Sequence, residues 1–273
     1  MTASSGADRL SLCFKAAAGE RRAALIGYLT AGDPDLETSG RLMAMLAKHV
    51  DILEIGMPFS DPMADGPVIQ AASERALASG MHIENVFSLA RSVREAHPDV
   101  GIVFMGYANV AYVIGYETFA RKLKQAGADG ALIVDLPPEE SAEFDTAMRR
   151  ECLHHIRLLA PTSSDERCRL VARSASGFLY YVSLTGVTGA TLTDVDGVRK
   201  QVEAIRQISR LPIGVGFGIN SAEQAARIAQ FADGVVVGSY FVRQIEEHLS
   251  DPSAMIQSME RAVSDIRQGL RRS

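Results

Sequence analysis

Cysteine is scarce in this 273-residue chain, and what little there is, Cys13, Cys152 and Cys168, has neither paired nor CxxC spacing. A disulfide framework and a thiolate zinc site are therefore both unsupported, and a reducing compartment fits the chain best. Positive charge is not in excess either: the net charge of -5 leaves no electrostatic footprint for nucleic acid or an anionic membrane. No apolar run approaches the length of a bilayer span, and the first residues, Met-Thr-Ala-Ser-Ser-Gly-Ala-Asp, lack the basic start and apolar core of a secretory signal. The expected setting is cytoplasmic. No linker, low-complexity tract or composition shift marks a domain boundary, so residues 1–273 read as one domain. At 47% hydrophobic and 22% charged residues, the composition is that of an ordinary globular protein.

What is present centres on residues 50–70. Ile52, Leu53, Ile55 and Met57 form an apolar run that reads as a strand buried on both faces, as in a parallel sheet, yet Glu54 lies inside it. Alternation places Glu54 on the face of Ile52 and Gly56, with Leu53 and Ile55 on the other. Burial of an unpaired carboxylate is costly and raises its pKa, which poises the group for general acid/base work near neutral pH. The alternative for Glu54 taken alone is a strand-end cap or a partner for a buried Arg. Beyond the strand the chain breaks into a Pro- and Asp-rich loop carrying Asp61 and Asp65.

The pattern of strand, turn and helix then recurs. A short helix over 9–18, capped by Asp8, precedes the first strand and is placed to plug one end of the fold. Strands are predicted at 23–29, 50–56, 101–106, 130–134, 154–160, 178–183, 212–216 and 234–237. Helices between them fall at 35–48, 68–79, 83–96, 116–126, 139–150, 164–173, 195–209 and 221–230, with closing helices at the end. Eight such units imply a parallel sheet closed into a (β/α)8 barrel, the TIM-barrel architecture, with an extra N-terminal helix and insertions in the loops after strands 2, 6 and 8. The loops after the strands build the active site in such barrels.

Polar groups at those strand ends are Tyr28 and Thr30, Glu54 with Asp61 and Asp65, Tyr107 and Asn109, Asp135, and Tyr180 with Ser183. The last strands end differently, in Gly214-Val-Gly216-Phe-Gly218 and Gly238-Ser239, and together with Gly186-Val-Thr188-Gly189 these resemble a phosphate site of bare backbone amides. Any one glycine cluster is equally explained by a tight turn. The three together predict a ligand with its phosphate on one side of the mouth and its reacting end near Glu54. Tyr28, Ile69, Met105, Tyr180 and Phe217 are candidates for the apolar gap between, and equally for barrel packing. His154 and His155 are adjacent on a strand and so point to opposite faces, which makes a shared metal a poor reading. No metal ligand set and no Ser-His-Asp or Cys-His arrangement is proposed.

Several of these stretches resemble the tryptophan synthase alpha subunit family over nearly the whole chain: Gly27-Tyr-Leu-Thr-Ala-Gly-Asp-Pro34, Glu54-Ile-Gly-Met-Pro-Phe-Ser-Asp-Pro-Met-Ala-Asp-Gly-Pro67, Tyr107-Ala-Asn109, Asp135-Leu-Pro137, Gly186-Val-Thr-Gly189, Gly216-Phe-Gly218 and Gly238-Ser239. The resemblance implies retro-aldol cleavage of indole-3-glycerol phosphate to indole and glyceraldehyde 3-phosphate. It makes Glu54 the general acid/base at indole C3 and the glycerol hydroxyl, Asp65 the partner of the indole N–H, and Tyr180 a neighbour that orients Glu54. Gly189, Gly218, Gly238 and Ser239 then bind the phosphate. Residues 183–194 resemble the family's lid, with Thr188 meeting Asp65 on closure; Leu184 departs from the arginine common there. The family also implies a beta subunit that carries pyridoxal phosphate in an alpha2-beta2 complex, this chain itself having no cofactor, with Asp61, Asn109 and Pro137 on the docking surface. The alternatives are a stand-alone indole-releasing lyase, a different phosphate-binding isomerase or epimerase, and a non-catalytic barrel kept as a binding partner.

Overall fold

The computed structural model describes residues 8–182, 194–216 and 218–272. The chain enters through α1 (Arg9–Gly19), capped as expected by the Asp8 carboxylate on the Ser11 amide at 3.1 Å. It then winds β1 (Ala24–Thr30), α2 (Leu36–Ala47), β2 (Ile52–Gly56), α3 (Pro67–Ala78), α4 (Ile83–Ala96), β3 (Gly101–Gly106), α5 (Ala108–Ile114), α6 (Tyr116–Gln125), β4 (Gly130–Ile133) and α7 (Ala142–Arg150). The second half runs β5 (His154–Leu159), α8 (Asp165–Ser174), β6 (Leu179–Val182), α9 (Val195–Ile208), β7 (Ile213–Gly216), α10 (Ala222–Ala229), β8 (Gly234–Val237), α11 (Ser239–Glu246) and α12 (Pro252–Gly269).

The strands pair in sequence order, all parallel, and β8 closes on β1. The expected (β/α)8 barrel is thus the observed fold, with α1, α4 and α11 as helices additional to one per strand. Residues 183–193 of the expected insertion after the sixth strand lie outside the described residues. One addition was not anticipated: α5 follows β3 directly, so Asn109 sits in a helix rather than a loop.

Alternation along the strands sorts the core into two populations. Ile26, Ile52, Val103, Leu132, Ile156, Tyr180 and Val236 belong to a cluster that fills the barrel. Leu25, Leu53, Ile55, Phe104, Val215 and Val235 belong to the layer between strands and helices. Leu10 and Phe14 of α1 join the inner cluster, and the plug is close-fitting. A Cβ at Gly101 would lie 2.9 Å from Leu10, and one at Gly234 would lie 3.0 Å from Phe14. Glycine at these strand starts is what admits the helix.

Three aspartates brace that same end. Asp51, Asp129 and Asp233 each precede a strand and accept a backbone amide of a neighbouring one: Leu25 at 2.7 Å, Ile102 at 2.8 Å and Ile213 at 3.0 Å. Each is also held by arginine: Arg22, Arg94 with Arg9, and Arg206 respectively. The end before the strands is thereby committed to stability, which leaves the opposite mouth for chemistry. No described helix is long and apolar enough to cross a membrane.

Candidate active site

Glu54 occupies the middle of β2, in register with Tyr28 on one side and Val103 on the other. Its side chain is on the barrel interior, 1% exposed, and neither carboxylate oxygen has a hydrogen-bond partner among the described residues. The alternative of a buried arginine pair is not what the structure shows, since no cation among the described residues reaches it. Burial first, and the Asp65 charge second, push Glu54 up to about 8.

Asp65 reaches the site from the loop between β2 and α3. Helix α3 starts with Pro67, whose missing N–H needs no cap, and its N-cap residue Gly66 offers no side chain. The Asp65 carboxylate is therefore not spent on the helix. It turns to Tyr107, whose hydroxyl donates to Oδ2 at 2.9 Å while accepting the Ala64 amide at 3.0 Å. Gln70 fixes the same loop by donating to the Asp65 carbonyl at 2.8 Å, and Phe59 stacks on the Tyr107 ring with centroids 5.3 Å apart. Burial pushes Asp65 up to about 6, against the lowering effect of the Tyr107 hydrogen bond. Tyr107 itself is held above the ordinary phenol range, by burial and then by the Asp65 charge.

Two tyrosines lie in the same interior, each covering a glycine. A Cβ at Gly56 would meet the Tyr28 hydroxyl oxygen at 2.1 Å, and one at Gly216 would meet the Tyr180 hydroxyl oxygen at 2.4 Å. Tyr28 is further tethered to Thr30 by a 3.1 Å hydroxyl contact. Burial raises both phenols well above their usual range, and both feel the charges of Glu54 and Asp65, which places the four groups together. Tyr180 makes no hydrogen bond to Glu54, so any orienting of the acid by it is through contact and not through a bond.

Of the other expected lining residues, Ile69 is buried in the first turn of α3, and Met105 borders both core populations. Phe217, Thr188 and Gly189 lie outside the described residues. Gly218 has φ of 75°, a left-handed backbone that suits glycine, and Gly238 is the N-cap of α11 with Ser239 its first residue. Gly238 also backs onto Tyr28, since a Cβ there would stand 3.4 Å from the tyrosine Cβ. The Tyr28 side chain thus runs from the start of α11 at its root to the strand of Glu54 at its hydroxyl. Asp61 and Asn109 are exposed and Pro137 is half-buried, all on loops or helices that follow strands β2, β3 and β4. His154 bonds Asp8 at 3.0 Å and His155 bonds Asp145 at 2.6 Å, so the two histidines serve structure on opposite faces of β5.

Tyr107 is the functional residue that sequence reasoning left without a role. Its place at the end of β3 was visible; its bond to Asp65 spans 42 residues and depends on barrel closure.

Comparison with known proteins places the chain in one family. The family model described as tryptophan synthase alpha chain matches residues 14–271. The tryptophan synthase alpha chains of Thioalkalivibrio sulfidiphilus and Dechloromonas aromatica are 47% and 48% identical over 264 residues, covering 96% of this chain and 99% and 98% of theirs. A tryptophan synthase structure from Mycobacterium tuberculosis superposes with a TM-score of 0.89 at 35% identity, covering 97% of this chain and 99% of that one. The tryptophan synthase alpha subunit of Legionella pneumophila superposes with a TM-score of 0.87 at 38% identity, covering 96% and 98%. On a family match over nearly its full length, and with a barrel that superposes on solved members, the chain belongs to the tryptophan synthase alpha chain family.

Proposed function

We propose that Glu54 and Asp65 together carry the retro-aldol cleavage of indole-3-glycerol phosphate. The reaction is the carbon–carbon lyase step of tryptophan biosynthesis that releases indole and glyceraldehyde 3-phosphate. Protonated Glu54 delivers its proton to C3 of the indole ring, and ionised Asp65 holds the ring N–H and balances the positive charge that develops on the indolenine. The glycerol hydroxyl next to the scissile bond then loses its proton to the Glu54 carboxylate. Its oxygen electrons form the aldehyde as the carbon–carbon bond breaks, and the bonding pair returns to the ring. One carboxyl group thus gives and takes a proton within a turnover.

The observation that carries this reading is the buried carboxyl of Glu54, without a hydrogen-bond partner among the described residues and pushed to about 8, partly by the charge of a second carboxylate that is itself at about 6. An acid that is protonated and a neighbour that is ionised at the same neutral pH are what the two roles require. Gly218, Gly238 and Ser239 receive the phosphate, with Gly189 completing the cradle. Tyr28, Ile69, Met105 and Phe217 flank the ring, Tyr180 packs beside the acid, and Thr188 closes toward Asp65.

Asp61, Asn109 and Pro137 face a beta subunit carrying pyridoxal phosphate. In support, the exposed apolar side chains Met63, Tyr112 and Val113 come from the same loop after β2 and from α5. The test is indole release from indole-3-glycerol phosphate by the full chain with and without added beta subunit. Slow release that rises sharply on adding the partner supports both statements; fast release alone assigns a stand-alone lyase, and none in either case removes the catalytic reading.

A further inference from the structure

The geometry points to Asp135 as a positioning residue for Asp65, acting through Tyr107 and linking the two partner-facing segments to the reacting carboxylate. This rests on the proposed role of Asp65. Helix α5 begins with Tyr107 as its N-cap, and that residue makes no side-chain cap. The cap is supplied from another loop: the Asp135 carboxylate, from beyond β4, accepts the Ala108 amide at 2.7 Å. One residue earlier stands Tyr107, whose hydroxyl holds Asp65 at 2.9 Å. The bond at Ala108 therefore sets where the Tyr107 backbone starts its turn into α5, and with it the reach of the hydroxyl to Asp65.

The Asp135 loop is itself anchored from behind. The buried Arg157 donates to the Leu136 carbonyl at 3.3 Å, and the Asp145 carboxylate clamps the arginine at 2.8 and 2.9 Å. Ser141 bonds both Arg157 and Asp145 and reaches back to the Pro138 carbonyl at 3.1 Å. Asp135 thus projects from a braced loop. It lies two residues before Pro137, and the amide it holds is one residue before Asn109. A partner that displaces either Asn109 or Pro137 acts on the bond that joins them, and through Tyr107 on Asp65.

The test measures kcat/KM for indole-3-glycerol phosphate cleavage against pH, with beta subunit present, for wild type, Asp135→Ala, Asp135→Asn, Tyr107→Phe and the double variant Asp135→Ala/Tyr107→Phe. Tyr107→Phe removes the donor that lowers the Asp65 pKa, so the acid limb moves to higher pH. Asp135→Ala is expected to move it in the same direction and to lose about tenfold in kcat/KM, as for a small misplacement of a reacting group. The double variant is expected to be no worse than Tyr107→Phe alone, because residues acting in one chain are not additive. Asp135→Asn keeps an acceptor oxygen and is expected to restore the limb. A limb unmoved in Asp135→Ala but moved in Tyr107→Phe overturns the inference, as do additive losses, or a fall in rate without a shift. If Asp65→Asn and Tyr107→Phe both leave rate and limb unchanged, it is the assignment of Asp65 that fails instead.

Discussion

The Tyr28 hydroxyl lies over Gly56 of the neighbouring strand so closely that any Cβ there would come within 2.1 Å of its oxygen and 2.5 Å of the ring carbon bearing it. The tyrosine is held from the other side by Thr30 and at its root by Gly238. Gly56→Ala must therefore drive the ring out of place, next to Glu54. Initial-rate kinetics are expected to show a loss of about 10²-fold in kcat/KM, with the circular dichroism spectrum unchanged. A variant of near-normal kcat/KM shows that the ring yields freely and that its position carries no rate.

Glu54→Gln separates rate from stability. Loss of the general acid/base lowers turnover by about 10² to 10⁴-fold, while affinity for a substrate analogue lacking the scissile bond is kept. Stability moves the other way. The folded carboxyl is pushed from 4.5 to about 8, so the native state holds its proton where the unfolded state has lost it, and wild-type stability falls as pH rises through that window. The variant is expected to melt above wild type at pH 8 and level with it near pH 4. Equal melting temperatures at pH 8 contradict the burial cost assigned to Glu54.

With Asp65 at about 6 and Glu54 at about 8, kcat/KM is expected to follow a bell between those values, ionised Asp65 setting the acid limb and protonated Glu54 the basic one. The limbs belong to the coupled pair. Asp65→Asn removes the acid limb and, by removing a negative charge that raises Glu54, moves the basic limb to lower pH. A basic limb that stays in place shows the two carboxyls to be electrostatically independent.

Arg75 and Asp33 form a two-pronged pair at 2.7 and 2.9 Å in which the carboxylate is fully buried. Arg75 stands on α3, the helix that follows Asp65, and Asp33 follows β1, so the pair locks together the two segments that carry Tyr28 and Asp65. Arg75→Ala leaves the buried carboxylate alone and is expected to cost about 3 kcal/mol in urea unfolding. A cost under about 1 kcal/mol, the level of an exposed pair, removes that role.

Much of this site was legible before folding. Glu54 stood out because a carboxylate in an apolar run of period two has nowhere to go but inside, and the interior position and raised pKa follow from that pattern. The glycines at the ends of the last two strands were visible in the sequence, but each cluster is equally explained by a tight turn, and Gly189, with Thr188 and Phe217, lies outside the described residues. Helix α5 was not legible. Val110, Tyr112, Val113 and Ile114 are indifferent helix formers, and the carboxylate that caps its first amide comes from 27 residues farther along. How a Tyr180 beside Glu54 would orient it was not legible either: its hydroxyl lies over Gly216 and makes no hydrogen bond to the acid.

By itself the sequence determined the order of strands and helices, the inward and outward faces of each strand and the burial of Glu54, since periodicity is a local property that survives in any parallel, closed arrangement. Only the tertiary structure decided who meets whom: Tyr107 with Asp65, Asp135 with Ala108, Tyr28 over Gly56, and for Glu54 no hydrogen-bond partner among the described residues. Those pairings depend on the register and closure of the barrel, which bring residues tens of positions apart within bonding distance and which no window of sequence contains.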